Sequence, residues 1–205
     1  MKNVRSLDVL VIDDEPERCS ALCTALNALG HRVVSRLDTT AGLNHSVATK
    51  SPDIVIIDMD SPDRDTLESM AAMSRNNPRP IVFFAEQASD GKSISDAINA
   101  GVSAYIADGL DTERVTPIME TAIAQFNAFH SLRLELEKTR SQLTERKFIE
   151  KAKGMLMKHQ GCDEEQAYKT LRKLAMDRGQ KLVDVAKSVI DVLELANQQS
   201  LDKRS

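Results

Sequence analysis

The chain has 205 residues, 41% of them apolar and 28% charged, with a formal net charge of −4. That allows one large or two small domains with buried cores, and excludes a disordered or membrane-embedded chain on composition. The charge is unevenly spread: residues 145–205 carry 13 Lys and Arg against 10 Asp and Glu, and the 144 residues before them carry 14 against 21. A polyanionic partner would therefore meet the C-terminal part.

In chain order, Asp8–Ile12 is a short and nearly continuous apolar run, as a strand buried on both faces requires. Cys19, Leu22, Cys23, Leu26 and Leu29 follow at helical spacing, with Gly30 as the stop. His31–Val34, Asp53–Asp58, Pro80–Phe84 and Ala104–Ala107 read as further strands, and helical patterns lie near residues 39–49, 65–76 and 91–100. Five short strands alternating with helices predict a parallel sheet covered on both faces. From about residue 112 to 158 a long helix is expected. In it Phe129, Leu132, Leu136, Thr139 and Leu143 follow three- and four-residue steps, the seam of a weak coiled coil that could pair two chains or pack on its own domain. Gly161 ends that helix, acidic Asp163–Glu165 open the next, and Gly179 closes it. The last helix spans about 181–197, with Leu182, Val185, Ala186, Val189 and Leu193 on one face and a polar, frayed tail from Gln198.

No run is long and apolar enough for a membrane span or a secretory leader, so the cytoplasm is the expected compartment. Cys19, Cys23 and Cys162 form no metal-ligand spacing and read as reduced thiols packed as small hydrophobes.

Two constellations carry chemistry. Asp13 and Asp14 follow the first strand and Asp58 ends the third. In an open parallel sheet such strand ends converge on one crevice, where three carboxylates repel one another unless a cation neutralises them. Magnesium suits such an oxygen cluster, and Asp58 is then placed as a carboxylate nucleophile toward phosphorus. At the other end of the chain, Phe148, Ile149, Ala152, Met155 and Leu156 share one arc of the long helix. Lys147, Lys151 and Lys158 fall on one flank beside Gly154, with Arg146 and Lys153 on the opposite flank. A glycine inside a helix costs roughly 1 kcal/mol, a cost that close approach of another helix or of a nucleic-acid backbone would offset. In the next helix Ala167, Leu171, Leu174 and Ala175 face inward, while Tyr168, Arg172 and Met176 edge outward with Lys169 and Lys173 beyond. Cations neutralise phosphates, and a Tyr ring or an Arg plane stacks on an unpaired base.

Residues 5–125 resemble the receiver domain of bacterial response regulators, in topology and in the acidic triad. The resemblance implies Asp13, Asp14, Asp58 and the main-chain carbonyl at Asp60 as metal ligands, Asp58 as phosphoacceptor and Tyr105 as the switch aromatic. The sequence departs from that pattern at two places. Ala85 stands where the family has Ser or Thr, and Asp108-Gly109 where it has Lys-Pro. Both changes remove groups that hold phosphoryl oxygens, which favours a docking platform over regulated phosphorylation. The runs ERKFIEKAKGMLM and AYKTLRKLAM resemble the ANTAR domain of bacterial transcription antiterminators, from about Leu143 to Leu195. That resemblance implies a three-helix module gripping leader-transcript stem-loops, with Lys147, Lys151, Lys153, Gly154, Tyr168 and Arg172 as RNA-binding positions. The expected domains are a receiver-like domain at 1–122, a coiled-coil linker helix at 123–144 and the ANTAR bundle at 145–200. IDMDSPDRD, RPIVFF and GVSAYIADGL further resemble the nitrate- and nitrite-responsive antiterminators. That likeness implies a nitrate- or nitrite-sensing regulatory protein as partner and no enzymatic activity. Two other readings compete: a phosphorylation-activated regulator with a DNA-binding output, for which the last helix is acidic, and an adaptor whose basic flanks bind an acidic protein.

Overall fold

The computed structural model describes residues 6–85, 91–107 and 114–202, with side chains to residue 195. The chain divides into two compact units, residues 1–131 and 132–205.

The first unit is built on β1 (Asp8–Asp13), β2 (Arg32–Leu37), β3 (Ile54–Met59), β4 (Ile81–Ala85) and β5 (Ala104–Ile106), all parallel, in the order β2-β1-β3-β4-β5. This is the flavodoxin-like order, with the connection reversing direction between β1 and β3. α1 (Pro16–Ala28), α2 (Leu43–Lys50), α3 (Arg64–Asn76) and α4 (Gly91–Asn99) alternate with the strands, and a 3-10 turn at Thr40–Gly42 precedes α2. The alternation of Cβ directions splits each strand between two cores. Leu10, Ile12, Val55, Ile57, Ile81 and Phe83 pack with Leu43, Val47, Met70 and Met73 on one face. Val9, Val11, Ile54, Ile56, Val82 and Phe84 pack on the other with Cys19, Leu22, Cys23 and Leu26 of α1. Val115, Met119 and Ala122 complete that second core from the start of α5 (Val115–Gln160).

The expected strands and helices are present, with shifted ends. β2 continues to Leu37, because its ladder with β1 runs on past the two valines after a register shift beside Leu10. Apolar content marks only part of an edge strand, whose exposed residues need not be hydrophobic. Leu29 lies at the C-cap of α1 and is exposed, so it leaves the apolar stripe before Gly30 turns the chain at φ 88°. Cys19 and Cys23 are packed thiols, and burial pushes Cys19 up to about 11, far from thiolate chemistry at neutral pH.

The second unit contains the last turns of α5, α6 (Glu164–Arg178) and α7 (Leu182–Asp202) around one apolar cluster. Ala152, Leu156, Ala167, Leu171, Ala175, Val185, Ala186, Ile190 and Leu193 are buried there, with Phe148, Ile149 and Met155 half-buried against them. Asp163 caps α6 by accepting the Gln166 N–H at 2.7 Å, and Gly179 ends it at φ 60°. α7 runs to Asp202, into the segment expected to fray. α5 crosses residues 122 and 144 without interruption, so the expected linker is part of one long helix.

His31, just before β2, is 5% exposed and its Nδ1 accepts the Leu7 N–H at 3.4 Å. Burial lowers its pKa below the ordinary 6.5, so below that pH the unfolded chain binds the proton more readily than the folded one. Stability of the first unit is therefore held above pH 6.5 and falls as the pH drops toward the folded-state pKa. Urea midpoints recorded from pH 7.5 to 5.5 should decline, and His31→Leu should flatten that decline.

Candidate functional site

Parity along the strands decides which carboxylates meet. Asp13 shares its face with Val9 and Val11, and Asp58 with Ile54 and Ile56, so both point toward the α1 side of the sheet. They are paired neighbours in the β1–β3 ladder, and neither side chain has exposed surface. Asp14 and Glu15 follow in the turn, more than half exposed. Pro16 at the first helical position starts α1 there and places Arg18 in its first turn.

Arg18 gathers all of these groups. Its Nη2 lies 3.1 Å from Asp13 Oδ1 and 3.1 Å from Asp14 Oδ1, and its Nη1 is 3.3 Å from Glu15 Oε2. Its Nε donates to Asp13 Oδ1 at 3.2 Å and stands 3.2 Å from Asp58 Oδ2. The Nε carries a single hydrogen, which is aimed at Asp13, so its contact with Asp58 is an ion pair without an aligned hydrogen bond. Asp13 Oδ1 also accepts the Glu15 N–H at 2.9 Å.

The three carboxylates expected at this crevice are thus brought together, around an arginine that sequence reasoning passed over. Its signal was available: a cation in the first turn of a helix opposes the macrodipole unless carboxylates surround it. Among the described residues no group of three metal-ligating side chains is arranged to hold an ion. The guanidinium occupies the space that the oxygen ligands of a magnesium ion would share. Asp60 is exposed just past β3. Ala85, buried at the end of β4 opposite Met59, offers no hydroxyl toward the crevice. Asp108 and Gly109 lie outside the described residues. Tyr105 stacks on Phe83, ring centroids 5.3 Å apart and 8° from parallel.

In the second unit the predicted basic positions part into two kinds. Lys153 is 8% exposed, and its Nζ lies 2.6 Å from Glu164 Oε1 and 2.9 Å from Glu150 Oε1. Those two carboxylates raise its pKa, and Lys153 in turn lowers that of Glu164. Lys153 therefore clamps α5 to the start of α6, and its charge is satisfied within the fold. Lys147 and Lys151 are exposed, the latter pairing with Glu194 of α7 at 2.6 Å in an open contact that water screens. Apart from the backbone of its own helix turns, nothing among the described residues lies within 4 Å of a Cβ placed on Gly154, so no neighbouring helix there takes up the close approach that this glycine allows. Tyr168, Arg172 and Met176 form an exposed stripe on α6.

A groove of about 370 Å³ opens between α5 and α7, lined by Arg140, Thr144, Phe148, Lys181 and Lys187 together with Glu145 and Asp184. Lys187 Nζ sits 5.1 Å from the centre of the Phe148 ring. Sequence periodicity placed Phe148 in the core; it is only half-buried, and the cation over its face could not be read from one helix alone.

Comparison with known proteins bears on both units. A family model of the response regulator receiver domain matches residues 9–120, and one of the ANTAR domain matches residues 137–190. The transcriptional regulatory protein PdtaR of Mycobacterium tuberculosis is 28% identical over 185 residues, 90% of each chain. A nitrate regulatory protein of Klebsiella oxytoca is 44% identical over 71 residues, 35% of this chain and 18% of that protein. The signal receiver domain of a modulated diguanylate cyclase from Desulfovibrio desulfuricans superposes with a TM-score of 0.53 at 22% identity, over 60% of this chain and 98% of that one. The receiver domain of the putative response regulator NarL from Mycobacterium tuberculosis does so with a TM-score of 0.51 at 20% identity, over 58% and 97%. At those identities the structural likeness speaks for the fold alone. The two family matches, falling on the sheet unit and the helical unit in turn, show that the chain belongs to the response regulators, with a receiver domain followed by an ANTAR domain.

Proposed function

We propose that this protein is an RNA-binding transcription antiterminator, in which the ANTAR unit binds leader-mRNA stem-loops and a sensor partner controls it through the receiver domain. The carrying observation is the surface of the ANTAR unit. Lys147, Lys151 and Lys158 flank a half-buried glycine with open space where a Cβ would stand, and the Tyr168–Arg172–Met176 stripe stands exposed on α6. Lysines neutralise the phosphates of a folded strand, the glycine admits its backbone closely, and the ring and guanidinium stack on unpaired loop bases. The α5–α7 groove extends this surface with three cations and a half-buried ring. Gripping a stem-loop favours one fold of the leader over the terminator that competes with it, and polymerase reads through.

The likeness of part of the chain to a nitrate regulatory protein favours nitrate and nitrite assimilation genes as the target, with a nitrate- or nitrite-sensing protein as the partner. Partner control suits a receiver whose fourth strand ends in alanine rather than a hydroxyl residue. A homodimer would suit α5: Phe129, Leu132, Leu136 and Leu143 are all exposed and, with Thr139 between the last two, follow three- and four-residue steps that a second copy of the same helix would cover symmetrically.

In a gel shift with the leader RNA of a nitrate reductase operon, Lys151→Glu and Arg172→Glu should each weaken binding roughly tenfold or more. Each should also reduce the slope of log affinity against log salt by about one, as a lost phosphate contact does. Unchanged binding by both variants would remove this surface as the interface, and preference for duplex DNA would favour the DNA-binding reading. Sedimentation should give a concentration-dependent dimer that Leu132→Glu with Leu136→Glu abolishes. Incubation with acetyl phosphate and magnesium should leave little label on Asp58; stable stoichiometric labelling would restore phosphorylation as the control.

A further inference from the structure

The acid pocket of the receiver domain brings its own cation. Asp13 and Asp58 have no exposed side-chain surface, and two buried carboxylates in adjacent strands are costly without a positive partner. Among the described residues the positive group paired with both is Arg18, whose side chain is 19% exposed and whose three nitrogens reach Asp13, Asp14, Glu15 and Asp58 at 3.1–3.3 Å. An ordinary surface ion pair does not look like this. The arginine sits in the first turn of α1, where the helix macrodipole repels a cation, and it turns back into the pocket rather than out to solvent.

We infer that Arg18 is the resident counter-ion of this pocket, standing where a divalent cation would have to bind, so that the receiver domain meets its buried negative charge without a metal. A magnesium ion draws its oxygens to about 2.0–2.1 Å. The guanidinium instead spreads the same oxygens over a planar fork of N–H donors. The two arrangements cannot coexist, because Asp13 and Asp58 cannot close on an ion while Arg18 lies between them and the opening carboxylates of the turn. A metal would have to expel the arginine and replace every contact it makes. The inference rests on the receiver fold and is independent of RNA binding by the other unit.

The test compares the full-length wild type, Arg18→Ala, and Arg18→Ala combined with Asp13→Asn. Free manganese is followed by electron paramagnetic resonance, and the thermal midpoint is recorded in EDTA and in magnesium. The wild type should take up no manganese at millimolar concentration and melt at the same temperature with and without magnesium. Arg18→Ala should melt earlier in EDTA, recover in magnesium, and bind one manganese ion at least about tenfold more tightly than the wild type, as expected on removing one competing positive charge. Adding Asp13→Asn should abolish that gain. Equal affinity in wild type and Arg18→Ala would overturn the inference, and so would a folded Arg18→Ala with no metal affinity. Should Arg18→Ala fail to fold, the wild type decides alone: saturable manganese uptake that Asp13→Asn abolishes overturns the inference, and none upholds it.

Discussion

Burying two carboxylates side by side is the constraint around which the receiver unit is arranged. Asp13 and Asp58 stand at the carboxyl ends of β1 and β3, on either side of the point where the sheet reverses its direction of winding. Both belong to the α1 face, which is otherwise filled by Val9, Val11, Ile54 and Ile56 and the leucines of α1. Their charge can be met only from the top of that face, and α1 begins there. The proline at its first position fixes where the helix starts, and that start sets where the third helical residue can reach. An arginine at that place sets a positive charge against the two buried carboxylates and, at the same time, holds the turn that carries Asp14 and Glu15.

The ANTAR unit solves a smaller version of the same problem. Four of its nine buried core residues are alanines, Ala152, Ala167, Ala175 and Ala186, each of which buries little apolar area. Lys153 adds what alanines cannot, a fixed contact between the end of α5 and the first turn of α6 through Glu164. The acidic start of α6 thereby serves its own macrodipole and the neighbouring lysine together.

Much of this was legible in the sequence, because period-two and period-3.6 patterns report directly on sheet and helix faces. The five strands, the acidic triad and the apolar arcs of all three C-terminal helices follow from residue types at fixed steps. What was not legible depends on partners distant in sequence or on a helix start. Lys153 reads on a helical wheel as one more solvent-facing cation, and only the packing of α6 turns it inward. Arg18 reads as one more surface arginine until the start of α1 is fixed beside two strand ends. The open space beside Gly154 is a similar case, since a glycine in a helix announces a close approach without saying whether the chain itself supplies the neighbour.

These intramolecular pairs also decide how much of the basic charge remains for the proposed RNA partner. Lys153 is spent on two carboxylates, whereas Lys169 pairs with Glu165 at 2.6 Å in an exposed contact that water screens. Lys151 gives up only part of its field, because its contact with Glu194 lies in water and can open when a phosphate offers a better partner. Among the described residues Lys147, Lys158, Arg172 and Lys173 form no ion pair within the chain. Counting every Lys and Arg of the domain would overstate its attraction for a polyanion, since a satisfied cation releases no counterions on binding. The exposed positive charge of the C-terminal unit therefore lies on the outer side of α5, on the outer stripe of α6 and, through Lys181 and Lys187, beside the α5–α7 groove. Under the proposed RNA-binding role, selectivity for a folded loop over any other polyanion has to come from what lies among those cations, the tyrosine, the arginine plane and the glycine, because charge alone does not tell one phosphate backbone from another.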